Sequence, residues 1–145
     1  AARRYIAGGL NYLFKSLDLI PDGIEDLGYL DDAFVLRVAT ALAVAEAPSA
    51  KQSDARGVLS RLAADAALVN ELLGDLREPF EGYVRSLTKG AARGRTVDEI
   101  LTNAEVLRSL VGEVHAWAKA YEPPTFTRDE KNLVKLKAFL GERIR

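Results

Sequence analysis

Apolar residues recur every three or four positions along almost the whole chain, and strict polar–apolar alternation is rare. That spacing predicts helices rather than strands. In the first segment Ile6, Leu10, Leu13 and Leu17 share one helical face, which predicts a helix near residues 3–17. Gly8 and Gly9 interrupt it, each at a cost of about 1 kcal/mol relative to alanine. A glycine pair inside a helix points to close approach of a neighbour. The segment Ala33–Ala47 offers a suitable one, with the small residues Ala39, Ala41, Ala43 and Ala45. A tight antiparallel hairpin of helices near 3–17 and 31–47 is predicted.

The stretch joining them is dense in stop and start signals. Ile20 precedes a proline and is pushed out of the helical region. Ile20-Pro21-Asp22-Gly23 reads as a type I turn, with proline second and glycine last. Gly28 can end a short helical turn. Asp31 or Asp32 then caps the following helix by accepting its orphan N–H groups.

Ala47-Pro48 ends that helix, and Ser49-Ala50-Lys51-Gln52 fits a capping box for the next. Its buried stripe is predicted to be Val58, Leu62, Ala66, Val69 and Leu73. Pro79 marks a break, followed by a short helix carrying Phe80, Tyr83, Val84 and Leu87. Residues 88–95 read as a loop. Thr96-Val97-Asp98-Glu99 is a second capping box and opens what reads as the longest helix, ended by Pro123-Pro124. That helix has apolar residues on two faces, which predicts burial on two sides. Thr127-Arg128-Asp129-Glu130 starts a last helix, burying Leu133, Leu136, Phe139 or Leu140, and Ile144. The expected fold is therefore all-α: one compact bundle of five to seven helices spanning 1–145 as a single domain.

Composition narrows the chemistry more than it suggests any. The 145 residues carry a net charge of −1, so no global field calls for nucleic acid as partner. The charge is uneven. Residues 1–50 hold four basic and seven acidic residues, net −3, and residues 122–145 hold six basic and four acidic, net +2. The absence of cysteine excludes disulfides, thiol nucleophiles and zinc–thiolate sites. There is no methionine, so Ala1 is not read as a native start. No apolar run reaches the roughly 18–20 residues that cross a bilayer; the nearest, Ala33–Ala47, is interrupted by Arg37 and Thr40.

Tyr12-Leu13-Phe14-Lys15-Ser16-Leu17-Asp18-Leu19-Ile20-Pro21-Asp22, followed by Leu27-Gly28-Tyr29-Leu30-Asp31-Asp32, resembles the YkvA-like family. The matching positions are Asp18, Leu19, Ile20, Pro21, Asp22, Gly28, Asp31 and Asp32. Ser16 and Glu25 stand where that family usually has proline, which implies a less rigid turn. The resemblance covers roughly residues 5–45, and residues 50–145 resemble no family that can be named. It implies a small bacterial helical hairpin of unknown function, suspected of membrane association, and it implies no reaction.

Three readings of the aspartates compete. They cap helices; or Asp18, Asp22, Asp31 and Asp32, crowded at the hairpin mouth, hold Mg²⁺ or Ca²⁺; or Arg3, Arg4 or Arg37 neutralises them. Bound Mg²⁺ would support phosphoester chemistry. The expected function is instead a non-enzymatic helical module that binds a protein partner. Its exposed turn (Asp18, Pro21, Asp22, Gly28, Tyr29, Asp31 and Asp32) would face a basic surface, with no cofactor and no nucleic acid. On this reading, exchanging Asp31 and Asp32 for asparagine leaves folding unchanged. Peripheral membrane attachment is the third alternative, in an otherwise cytoplasmic setting. Arg85, Lys89, Arg93 and Arg95 are a phosphate-binding candidate, although the Gly-Lys-Ser/Thr pattern of a phosphate loop is absent. His115, the sole histidine, reads as a partly exposed helix residue.

Overall fold

Helical periodicity becomes an all-α architecture in the computed structural model, which describes residues 2–14, 30–48, 57–92 and 94–120, with 134, 137, 138, 140–142 and 144. The described residues form α1 (Ala2–Tyr12), α2 (Leu30–Glu46), α3 (Val58–Leu73), α4 (Arg77–Ser86), α5 (Val97–Thr102) and α6 (Ala104–Ala120). A 3₁₀ turn at Gly74–Leu76 joins α3 to α4, and another at Leu87–Lys89 follows α4. Two two-residue strands, β1 (Ala91–Ala92) and β2 (Arg95–Thr96), pair antiparallel with Ala91 opposite Thr96 and Ala92 opposite Arg95. Among the described residues, no helix is long and apolar enough to cross a membrane.

The hairpin of α1 and α2 forms as the glycine pair indicates. A Cβ on Gly9 would stand 3.0 Å from the Ala39 Cβ. The two small residues let the helix axes approach. Gly8 serves a different neighbour: its Cβ would meet the Leu87 carbonyl oxygen at 3.1 Å. Gly9→Ala is expected to destabilise the protein by about 1 kcal/mol, because overpacking of 1–3 kcal/mol outweighs the helix-propensity gain. Adding Ala39→Gly should recover much of that loss in a thermal melt. A stabilised Gly9→Ala single variant would disprove the close approach.

The main core lies between α1, α2, α3 and α4. Phe80, Val35, Val84, Leu73 and Tyr12 are all at 1% exposure or less, and Leu140 from the C-terminal helical residues completes the cluster. A smaller cluster of Ala7, Val97, Ile100 and Leu110 ties α1 to α5 and α6. Within α3 the expected stripe is buried at Ala66, Val69 and Leu73, while Val58 at its start is exposed.

Several boundaries differ from the expectation, among them the end of α1 at Tyr12 rather than near residue 17. The chain breaks before α4 at Gly74, where φ is positive at 55°, rather than at Pro79. Pro79 is the third residue of α4, where its missing N–H has no intrahelical partner to lose. The stretch read as a loop contains the β1–β2 hairpin, turned at Gly94 with φ 75°. The long helix is two helices: Asn103 is extended (φ −119°, ψ 113°) between α5 and α6. Its Oδ1 accepts from the N–H groups of Glu105 at 3.0 Å and Val106 at 3.3 Å, so Asn103 is the N-cap of α6. The capping box at Thr96 forms in both directions. The boxes proposed at Ser49 and Thr127 lie outside the described residues.

Candidate functional site

The mouth of the α1–α2 hairpin is built from the last turn of α1 and the first turn of α2. Asn11 and Tyr12 end α1, and both are buried. Asp31 and Asp32 open α2, with 0% and 6% exposure. The expectation of exposed carboxylates therefore fails at these two positions. Tyr12 donates its hydroxyl to Asp31 Oδ2 at 2.6 Å, across 19 residues of sequence. That is short for an O–H···O bond. The Tyr12 ring is held in turn by an edge-to-face contact with Tyr83, centroids 6.2 Å apart at 88°. The α2 N-terminus adds its own partial positive charge beside both carboxylates. The two ends of the segment that runs from α1 to α2 are thus tied together in the interior.

Two of the three basic residues offered as neutralisers of the aspartates have other partners. Arg4 pairs with Asp98. Arg37 Nε donates to Asp65 Oδ2 at 3.3 Å, and its Nη1 donates to the Ala33 carbonyl at 3.1 Å. Arg3 lies exposed on α1. Asp18, Pro21, Asp22, Gly28 and Tyr29 lie outside the described residues. Among the described residues, no group of three or more His, Cys, Asp or Glu is placed to hold a metal ion.

A second polar cluster joins α1, β2 and α6. Asn11 Nδ2 donates to the Arg95 carbonyl at 3.1 Å. The Arg95 side chain, only 10% exposed, is ion-paired with Glu113 and lies over the Phe14 ring, 5.3 Å from its centroid. Its Nε and Nη2, and the Asn11 Oδ1, are buried with no hydrogen-bond partner. This cluster locks the hairpin strand between two helices.

The phosphate candidates are distributed differently from a loop of free cations. Arg85 donates to Glu81 Oε1 through Nε at 3.2 Å and Nη2 at 2.9 Å, and through Nη1 to the Tyr5 hydroxyl at 2.9 Å. The Glu81 bond holds the Arg85 guanidinium above its ordinary pKa. Arg95 is committed to Glu113. Lys89 is exposed in the turn after α4, and Arg93 lies outside the described residues. His115 is exposed on α6, as its sequence context indicates.

Sequence reasoning missed Tyr12, Asn11, Phe14 and Glu113 as members of these clusters. Their signal was thin: a polar Asn11 in an otherwise apolar helical stretch is the one anomaly visible in one dimension. The family model of a protein of unknown function, DUF1232, matches residues 2–37. That span is α1, the connecting segment and the first half of α2, a quarter of the chain. No curated protein and no solved structure matches the chain.

Proposed function

We propose that the protein is a non-enzymatic interaction module that presents the acidic segment between α1 and α2 to a basic surface on a protein partner. The observation that carries this reading is the buried Tyr12–Asp31 hydrogen bond. It divides the aspartates into two sets with different work. Asp31 and Asp32 belong to the interior, and Asp31 ties the mouth of the hairpin. Asp18 and Asp22, with Pro21, Gly28 and Tyr29, belong to the sequence between its fixed ends and are the groups offered to a partner. Anchored ends reduce the ordering cost that binding would otherwise carry, and carboxylates favour a partner of complementary charge. The family match over residues 2–37 covers this unit and little else. The pattern Asp18-Leu19-Ile20-Pro21-Asp22 and Gly28-Tyr29-Leu30-Asp31-Asp32 supports reading that family as the YkvA-like one.

The informative variant is Asp18→Asn with Asp22→Asn, because it spares the buried pair. Used as bait beside the wild type, it should lose a captured protein that the wild type retains at low salt and releases at high salt. Its melting temperature should stay within about 2 °C of wild type, the outcome this reading requires. Equal capture by both baits would remove the reading. Melts in millimolar Mg²⁺ or Ca²⁺ separate the carboxylate metal site, which requires a stabilisation that the double variant lacks.

A further inference from the structure

We propose that the channel between α1, α5 and α6 is a docking groove for an acidic amphipathic helix of a partner protein, a surface separate from the segment between α1 and α2. The groove encloses about 360 Å³. Its floor is Ala7, Ile100 and Leu110, all buried, and its walls include Ile6 and Leu10 of α1 and Leu107 of α6. The apolar surface does not stop at the groove. Leu107 is 46% exposed and Val111, one turn further, 45% exposed. Exposed Ala104 and Ala118 extend the same face of α6 at helical spacing. At 1.5 Å per residue this strip is about 20 Å long. That length suits a helix of about 14 residues laid along α6, the helix-in-groove mode of recognition, and exceeds what a compact small molecule would cover.

Charge sets the chemistry of the occupant. Arg3 lines the groove on the α1 side, and Arg108 and Lys119 border the strip on α6. All three are exposed, and none has an ion-pair partner among the described residues, whereas the neighbouring Arg4 is paired with Asp98. The acidic residues of α6, Glu105 and Glu113, lie about 140° around the helix axis from the strip at 3.6 residues per turn. An apolar strip between unpaired cations fits a helix whose apolar face is flanked by carboxylates. A second copy of this chain is disfavoured, since this face of α6 carries the cations Arg108 and Lys119 and no carboxylate to meet them. A membrane is disfavoured because the buried floor of the groove, Ala7, Ile100 and Leu110, lies in a concavity that a bilayer surface does not enter.

The test uses the full chain and two labelled 16-residue helical peptides with the same leucine stripe, one with glutamate and one with lysine at the remaining positions. Fluorescence anisotropy should show binding of the acidic peptide and not of the basic one. Leu107→Asp should weaken binding at least about tenfold, as for a central apolar anchor, and Val111→Asp, outside the groove floor, should act the same way if Leu107→Asp fails to fold. The triple variant Arg3→Glu, Arg108→Glu, Lys119→Glu should switch preference to the basic peptide. Equal binding of both peptides, binding of neither, or indifference to both aspartate variants would overturn the proposal. So would capture by phosphatidylserine vesicles without peptide binding, or a Leu107-dependent dimer in sedimentation.

Discussion

Tyr12→Phe is expected to lower the stability of this protein by about 2 kcal/mol, a fall in melting temperature of roughly 4–8 °C. The substitution isolates one hydroxyl. The ring keeps its place against Tyr83 and in the main core, where Tyr12 is 1% exposed. What disappears is the donor 2.6 Å from Asp31 Oδ2. Asp31 is fully buried, so water does not replace that donor without opening the hairpin mouth. A bond to a charged group contributes about 1.5–3 kcal/mol, and a buried acceptor left short of a donor costs in the same range. Asp31→Ala should also destabilise. The double variant should fall short of the sum of the two singles by about 1–2 kcal/mol, the usual signature of groups in direct contact. Full additivity would mean the two side chains do not act on each other. The same geometry corrects the expectation that asparagine at positions 31 and 32 leaves folding unchanged. Both carboxylates are interior, so that pair of changes is a stability experiment and a poor test of partner binding.

The helical hairpin was readable in sequence because its cause is local. The Gly8-Gly9 pair costs helix stability, which demands a compensating contact, and alanines of the right size recur in the only nearby apolar helix. The role of Asp31 was half readable. The residue was expected as the cap of α2 and stands inside the first turn instead, after Leu30. Its bond to Tyr12 depends on how far α1 and α2 slide past each other, and a tyrosine at the end of an apolar stripe looks the same whether its hydroxyl meets water or a carboxylate.

The division of the long helix into α5 and α6 shows a different failure. Apolar periodicity runs straight through Asn103, because both helices turn an apolar face toward α1 and the registers happen to agree. The break is signalled only by Thr102-Asn103 ahead of Ala104-Glu105, a cap motif concealed inside a continuous stripe. The groove is lined by residues on both sides of that break, Ile100 and Leu101 of α5 and Leu107 and Leu110 of α6. On α6 Leu110 is buried, while Leu107 and Val111 are left at the surface. A single straight helix buried on two sides would have had no such strip.

Glu113→Ala is expected to be the most damaging change in the second cluster, at about 3 kcal/mol and roughly 6–12 °C. The pair is asymmetric. Glu113 is about a third exposed, whereas the Arg95 side chain is nine-tenths buried. Removing the glutamate therefore leaves a guanidinium in the interior without its counter-ion, beside the Phe14 ring face and with Nε and Nη2 already lacking hydrogen-bond partners among the described residues. An arginine does not escape by losing its proton, so the structure must open or water must enter. Arg95→Met with Glu113→Leu should behave in the opposite way. It removes both charges, keeps apolar volume against Phe14, and is expected to be neutral or stabilising, as replacement of buried ion pairs by packed hydrophobic side chains often is. The Asn11 bond to the Arg95 carbonyl survives in every variant, since it uses the backbone, so the β1–β2 hairpin keeps its tether to α1 and the comparison reports on charge alone. Chemical denaturation of the three proteins gives the answer. A Glu113→Ala variant as stable as wild type would show that solvent already reaches Arg95. A double variant much less stable than Glu113→Ala would show that the ion pair, costly as its burial is, specifies how α1 and α6 pack on the hairpin.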